Sequence, residues 1–290
     1  MDPKLYHLHA LSALHCGIGQ STGAVDLPIA RARATNLPIV PGSSLRGVLR
    51  EEFADKNGGM EKTLFGPRTV SGGDDAHAGA LALGDAHLLL LPIRALAGIV
   101  AYATCPFILK RYKQDRERSG LAAPSIPPPI SETQAGHGEG CVNRLNDKVV
   151  LEDLDLDPLP MAEAEQWGAH IAQAVFPRDS EAQTDLEKRF LILPDAVFSF
   201  LAETATEIRT RIAIDQGTGT VKDGALWNEE NLPAETVLWG VYALSDSRVK
   251  GENHKAADLA AKLPADALLQ LGGKAGVGRG LVRFLNGGVK

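Results

Sequence analysis

The segment Ala80–Ile93, ALALGDAHLLLLPI, constrains the fold more than any other stretch of this chain. It reads as a strongly apolar strand, and its closing run of leucines leaves no polar face, so it is buried on both sides at that end. Leu5–Leu14 predicts an earlier strand, with Tyr6, Leu8 and Ala10 on one face and His7, His9 and Leu11 on the other. Gly98–Thr104 and Phe190–Leu193 predict two short ones. A helix is expected after the Pro41-Gly42 turn, capped by Ser43 or Ser44 and carrying Leu45, Val48, Leu49 and Phe53 at helical spacing. Further helices are expected over Pro106–Arg118 and Met161–Phe176, from Pro194 to about Glu203, and near Ala265–Leu271. Residues 55–80 read as a loop around an LFGP segment, 119–147 as a Pro/Gly-rich loop or linker, and Glu152–Asp157 as an edge strand or loop. EIRTRIAID, QGTGTVKDGA and ETVLWGVYAL (207–241) read together as an extended hairpin with an elaborated tip. Strands and helices intermix without regular βα alternation or a repeat period, which predicts an α+β fold.

The chain has 290 residues, 44% of them hydrophobic, enough for one large domain or two small ones. The opening MDPKLYHLHA has neither a basic nor an apolar signal region. The apolar stretches fall short of the roughly 18 to 20 residues a membrane helix needs. Three scattered cysteines suit neither a disulfide framework nor a Cys-based zinc site. A cytoplasmic protein is expected. The net charge of −6 is unevenly spread. Residues 1–50 hold five basic side chains against two acids, and residues 250–290 hold seven against three. Phosphate binding depends on such local potential, not on the total.

Three segments carry candidate chemistry. In the tail, GGKAGVGRG matches neither a P-loop nor a dinucleotide fingerprint. Gly273, Gly276 and Gly278 would let backbone N–H groups approach an anion, with Lys274 and Arg279 adding charge; a plain tight turn is the alternative. In PGSSLRG, Ser43, Ser44 and Arg46 at a helix N-terminus could hold a phosphate, or be a simple cap with a solvated arginine. In HCGIGQSTGAVDLPIARA, Asp26 lies between His15 and the pair Arg31 and Arg33. Asp26 could hold a divalent metal or assist attack by a 2′-hydroxyl on a phosphodiester, or be a turn residue. His7 and His9 share a strand face but lack a third ligand, so no zinc site is expected there.

These segments, with LFG, GALALGDAHLLLLPIRALAGIVAYATCP and LGGKAGVGRGLVRF in this order, resemble the RAMP superfamily, and within it the repeated backbone subunits of type III-B (Cmr) CRISPR effectors. The resemblance covers both ends and VFSFLAETATEIRTRIAID…GTVKDGALWNEENLP, hence most of the chain. It implies a single domain over 1–290: a ferredoxin-like (RRM-like) palm with insertions at about 55–80 and 119–190 and a β-hairpin thumb at about 208–233. It implies a CRISPR RNA-binding subunit that joins other Cmr subunits and copies of itself head to tail, a contact that builds an open filament. It further implies endonuclease cleavage of complementary target RNA at regular intervals by the loop aspartate, here Asp26, with a divalent metal, Mg2+ or Mn2+. His15 matches the histidine ending the first strand, and Glu229 or Glu230 stands nearest the thumb acid considered functional. The alternatives are a guide-RNA scaffold without catalysis and a guide-processing endonuclease using His15 as base. The aromatic motifs usual in RNA-recognition folds are not visible, so stacking readout is not expected.

Overall fold

The computed structural model describes residues 2–54, 60–68 and 76–287. The expected insertion at 55–80 therefore lies partly outside the described residues. In chain order the first elements are β1 (Lys4–Ala10), β2 (Ile39–Val40), α1 (Gly42–Ala54), α2 (Met60–Phe65), β3 (Leu81–Leu83), β4 (Ala86–Ala95) and β5 (Ile99–Thr104). The middle holds α3 (Pro106–Arg118), β6 (Gln134–His137), β7 (Arg144–Leu145), β8 (Lys148–Leu151), β9 (Leu154–Pro160), α4 (Ala162–Val175), α5 (Ser180–Arg189), β10 (Phe190–Ile192) and α6 (Asp195–Thr204). Then come β11 (Glu207–Ile214), β12 (Val221–Asn231), β13 (Val237–Leu244), α7 (Ala256–Ala260), β14 (Asp266–Gln270) and β15 (Leu281–Asn286). The architecture is mixed α+β.

Strand β4 is the spine. Leu88 to Leu91 and Ile93 are all buried. Its first half pairs with β13 and its second half with β5. The change of partner falls beside Pro92, which has no N–H to give a ladder. The main sheet runs β14-β15-β1-β13-β4-β5-β10-β6-β9-β8-β7. Within it, β15, β1, β13 and β4 pair antiparallel throughout. Both faces of β1 are buried after Lys4. His7 Nε2 meets the Tyr112 hydroxyl at 2.7 Å, and His9 Nε2 meets Glu235 at 2.7 Å.

Four local expectations are corrected. Residues near 265–271 form strand β14, not a helix. Pairing with β15 and the Arg283–Asp266 ion pair at 2.6 Å override the helical preference of Ala and Leu. The LFG segment ends the short helix α2 instead of lying in a loop. Residues 119–147 contain β6 and β7. QAGH makes a strand by pairing with β10 and β9, and Gly136 leaves room for Met161, whose Sδ would lie 2.3 Å from a Cβ there. ETVLWGVYAL is not an arm of the hairpin: β13 lies in the main sheet between β1 and β4, with Val237 to Gly240 buried.

Candidate nucleic-acid interface

Strands β11 and β12 pair with each other as a two-stranded ribbon outside the main sheet. Period-two alternation gives the ribbon two chemical faces. The cross-strand pairs Ile208–Glu230, Thr210–Asn228 and Ile212–Leu226 lie on one face. Arg209–Glu229 and Arg211–Trp227 lie on the other. At the tip, the Asp215 carboxylate accepts from the backbone N–H groups of Gly217 and Thr218, which shapes the turn and holds its carboxyl below the ordinary aspartate range.

The loop carrying Asp26 is stitched to the base of this ribbon. Leu27 pairs with Glu229 in parallel, its N–H donating to the Asn228 carbonyl at 3.1 Å and its carbonyl accepting from Glu230 N–H at 3.0 Å. Asp26 is exposed, and its Oδ2 accepts the Asn228 backbone N–H at 2.7 Å. The other carboxylate oxygen has no partner among the described residues. This is an oriented carboxylate, half engaged and half open.

Glu230 and Glu229 follow on β12 and point to opposite faces. The Glu230 carboxylate accepts from Ile29 N–H at 3.1 Å and from Arg31 Nη2 at 2.5 Å. Its carbonyl accepts from His15 Nδ1 at 2.7 Å. One residue thus ties together β12, the Asp26 loop and the end of the first-strand segment. Arg31 also donates to the carbonyls of Asn36 and Ala202, so it is a structural clasp. The His15 ring is buried, and donation from Nδ1 leaves Nε2 the lone pair in the neutral form. A Cβ on Gly17 would lie 2.5 Å from that Nε2, which explains one glycine of the HCGIG loop.

Glu229 is wholly buried. Its Oε1 accepts from Trp227 Nε1 at 3.0 Å and from Lys274 Nζ at 3.1 Å, with Arg211 Nε at 3.8 Å. Burial alone would raise its carboxyl; the Trp227 and Lys274 hydrogen bonds and the charge of Arg211 outweigh that and hold it below the ordinary range.

The glycine-rich tail closes the site. Gly273 N–H donates to the His15 carbonyl at 2.9 Å, and a Cβ on Gly272 would lie 2.4 Å from that same oxygen. Gly276 and Gly278 are exposed, with open space where a Cβ would stand. Lys274 pairs with Glu229, and Arg279 faces Glu207 at 3.7 Å. The fold therefore brings Asp26, His15, Glu229, Glu230, Gly273, Lys274 and Arg279 to one ribbon base. It does not link the α1 residues to them. Ser43 and Ser44 are exposed in the first turn, where Asp85 accepts the Gly42 N–H at 2.8 Å. Arg46 donates to the Phe65 carbonyl at 2.6 Å and lies over the Phe65 ring. Asn228 and Trp227 escaped the sequence reading, and Arg31, read there as a cation beside Asp26, is engaged by Glu230. Asn228 acts through its backbone, which no side-chain motif reveals, whereas a tryptophan in an otherwise solvated hairpin was a visible signal.

This fold and site define the class: residues 7–283 match the RAMP superfamily, and the chain belongs to it. Within that family it is 32% identical over 301 residues to the CRISPR system Cmr endoribonuclease Cmr4 of Pyrococcus furiosus, covering 98% of this chain and 95% of the relative. It superposes on oligomeric Cmr4 from Pyrococcus furiosus with a TM-score of 0.74 at 26% identity, covering 100% of this chain and 99% of the other. A chain of the type III-B Cmr-beta complex bound to cognate target RNA shares the fold, with a TM-score of 0.70 at 20% identity over 98% of this chain and 96% of that one.

Proposed function

We propose that this chain is a CRISPR RNA-binding backbone subunit of a type III-B (Cmr) effector that cleaves guide-complementary target RNA at regular intervals, with Asp26 at the scissile bond. The observation that carries this is the exposed Asp26 carboxylate, pinned by the Asn228 backbone N–H at the base of the β11–β12 ribbon. The family membership and the Cmr4 relative support the RNA-cleaving assignment. In this reading copies of the chain stack head to tail in a cytoplasmic complex. The order β15-β1-β13-β4, antiparallel throughout, supports reading one domain with a ferredoxin-like palm, insertions near 55–80 and 119–190, and β11–β12 as thumb. No helix among the described residues is long and apolar enough to cross a membrane.

The chain's part in the chemistry follows from Asp26. Its anchored oxygen fixes the carboxylate plane, and its open oxygen accepts the proton of a 2′-hydroxyl as that oxygen attacks the adjacent phosphorus. The P–O5′ bond breaks, the leaving oxygen takes a proton from water, the hydroxide so formed takes the proton from Asp26, and the products are a cyclic phosphate and a 5′-hydroxyl. Lys274, Arg279 and Arg211 supply positive charge beside the phosphates. Gly273, Gly276 and Gly278 let the backbone come close, and Ser43, Ser44 and Arg46 would contact the guide further along. His15 and Glu230 hold the loop.

Among the described residues no three His, Cys, Asp or Glu side chains converge to hold a metal ion. Asp26 is then the chain's one proposed ligand. That fits Mg2+ or Mn2+ bound in the manner of magnesium, which keeps water and takes one or two carboxylates together with substrate phosphate oxygens. Such an ion would neutralise charge on the phosphodiester. The second reading is a guide-RNA scaffold without catalysis.

The test is an assembled complex carrying Asp26→Asn, incubated with complementary RNA and Mg2+. Loss of the periodic products with target binding retained is the expected result. Unchanged cleavage leaves the scaffold reading.

A further inference from the structure

The chain has three tryptophans. Trp167 and Trp239 are 0% and 1% exposed and belong to the core. Trp227 is half-buried on a ribbon that packs no core of its own. Its indole Nε1–H donates to Glu229 Oε1 at 3.0 Å, the oxygen that also receives Lys274. That bond fixes the ring against the ribbon. Directly across the ladder stands Arg211, only part-buried, on the same face. The next residue, Asn228, is the one whose N–H pins Asp26.

A rigid aromatic plane beside a guanidinium is a surface on which a nucleobase stacks while its phosphate is held. Polar satisfaction of the indole by a buried carboxylate also means that little ordering entropy is lost when a base docks. We propose that Trp227 is the stacking platform for an RNA nucleobase next to the phosphodiester that Asp26 addresses, with Glu229 as the positioning residue for the indole. The inference rests on the RNA-cleaving reading and deepens it. It also revises the sequence-based expectation that stacking plays no part: one fixed ring serves any base, because every base offers a π-face, and no aromatic motif is needed.

Because the other two tryptophans are buried, emission changes on RNA binding report Trp227. The experiment titrates the full chain with a short fluorescein-labelled single-stranded RNA, following anisotropy for binding and acrylamide-accessible tryptophan emission for stacking. RNA is expected to protect the accessible emission. Trp227→Phe removes that signal and, keeping an aromatic face but losing the N–H that Glu229 holds, binds more weakly than wild type and more tightly than Trp227→Ala. Trp227→Ala weakens binding roughly 5- to 100-fold, the range of base–aromatic stacking, without changing the salt slope. Glu229→Leu, which frees the indole, reproduces the loss, and Glu229→Gln, whose amide oxygen still accepts the indole N–H, restores most of it. Equal affinity in wild type and a folded Trp227→Ala, or binding without a change in emission, overturns the stacking role and leaves RNA binding intact. An RNA that does not bind at all overturns both.

Discussion

The Asn228 backbone N–H donates to Asp26 Oδ2 at 2.7 Å, joining positions 202 residues apart. A loop carboxylate thereby becomes a fixed group at the base of the β11–β12 ribbon. Asn at position 26 keeps an acceptor for that N–H but cannot take a proton. Asp26→Asn is therefore expected to lower the single-turnover cleavage rate by about 10²- to 10⁴-fold while target RNA affinity stays within a factor of about two. Equal losses in rate and affinity would point to a binding role.

Glu230 holds that loop through Ile29, Arg31 and His15. Glu230→Ala strands a largely buried arginine and an N–H together, a change expected to cost about 3 kcal/mol or more. Urea unfolding of Glu230→Ala, Arg31→Met and the double variant separates the pair from its parts. A double variant no better than the sum of the singles argues against coupling.

Lys274 pairs with Glu229 and Arg279 faces Glu207 in the free chain; under the proposed function both turn to RNA phosphates in the complex. Replacing either with Ala should weaken RNA binding equally for all sequences. The plot of log affinity against log salt should become shallower by about 0.7 for each cation removed on single-stranded RNA. A sequence-dependent loss would contradict phosphate contact.

His7 gives the fold a pH dependence. Burial first, then the charges of Arg116 and His170, press its imidazole down to about 3. The unfolded chain binds this proton near pH 6.5 and the folded one does not, so stability rises with pH across that window. Lowering the pH from 6.5 toward 3 should remove on the order of 4–5 kcal/mol through this group. His7→Gln should flatten that part of the urea-unfolding profile; an unchanged slope would assign it elsewhere.

Gly280 tests the backbone of the tail. It has a φ of 78°, and a Cβ there would lie 2.0 Å from the Leu271 carbonyl oxygen. Gly280→Ala is expected to cost about 1–3 kcal/mol and to loosen the loop that presents Lys274. Thermal unfolding and RNA affinity together measure both effects.

Much of this protein was legible in its sequence because local rules settled it. The leucine run of β4, the spacing that builds α1, α3 and α4, and the alternation of EIRTRIAID each follow from periodicity within a few residues. The glycine loops and the order of the motifs pointed to the family. Long-range pairing was beyond those rules. Whether DALLQ becomes helix or strand depends on β15, and whether ETVLWGVYAL joins the ribbon or the sheet depends on β1 and β4. The same reason governs the site. Asp26 was one loop carboxylate until the chain folded back and the Asn228 backbone N–H fixed it; Glu229 holds the Trp227 indole from two residues along the same strand, and the fold adds the burial of that carboxylate and its pairing with Lys274. Sequence supplied the chemical groups; tertiary contacts, through hydrogen bonds that span most of the chain, decided which of them meet.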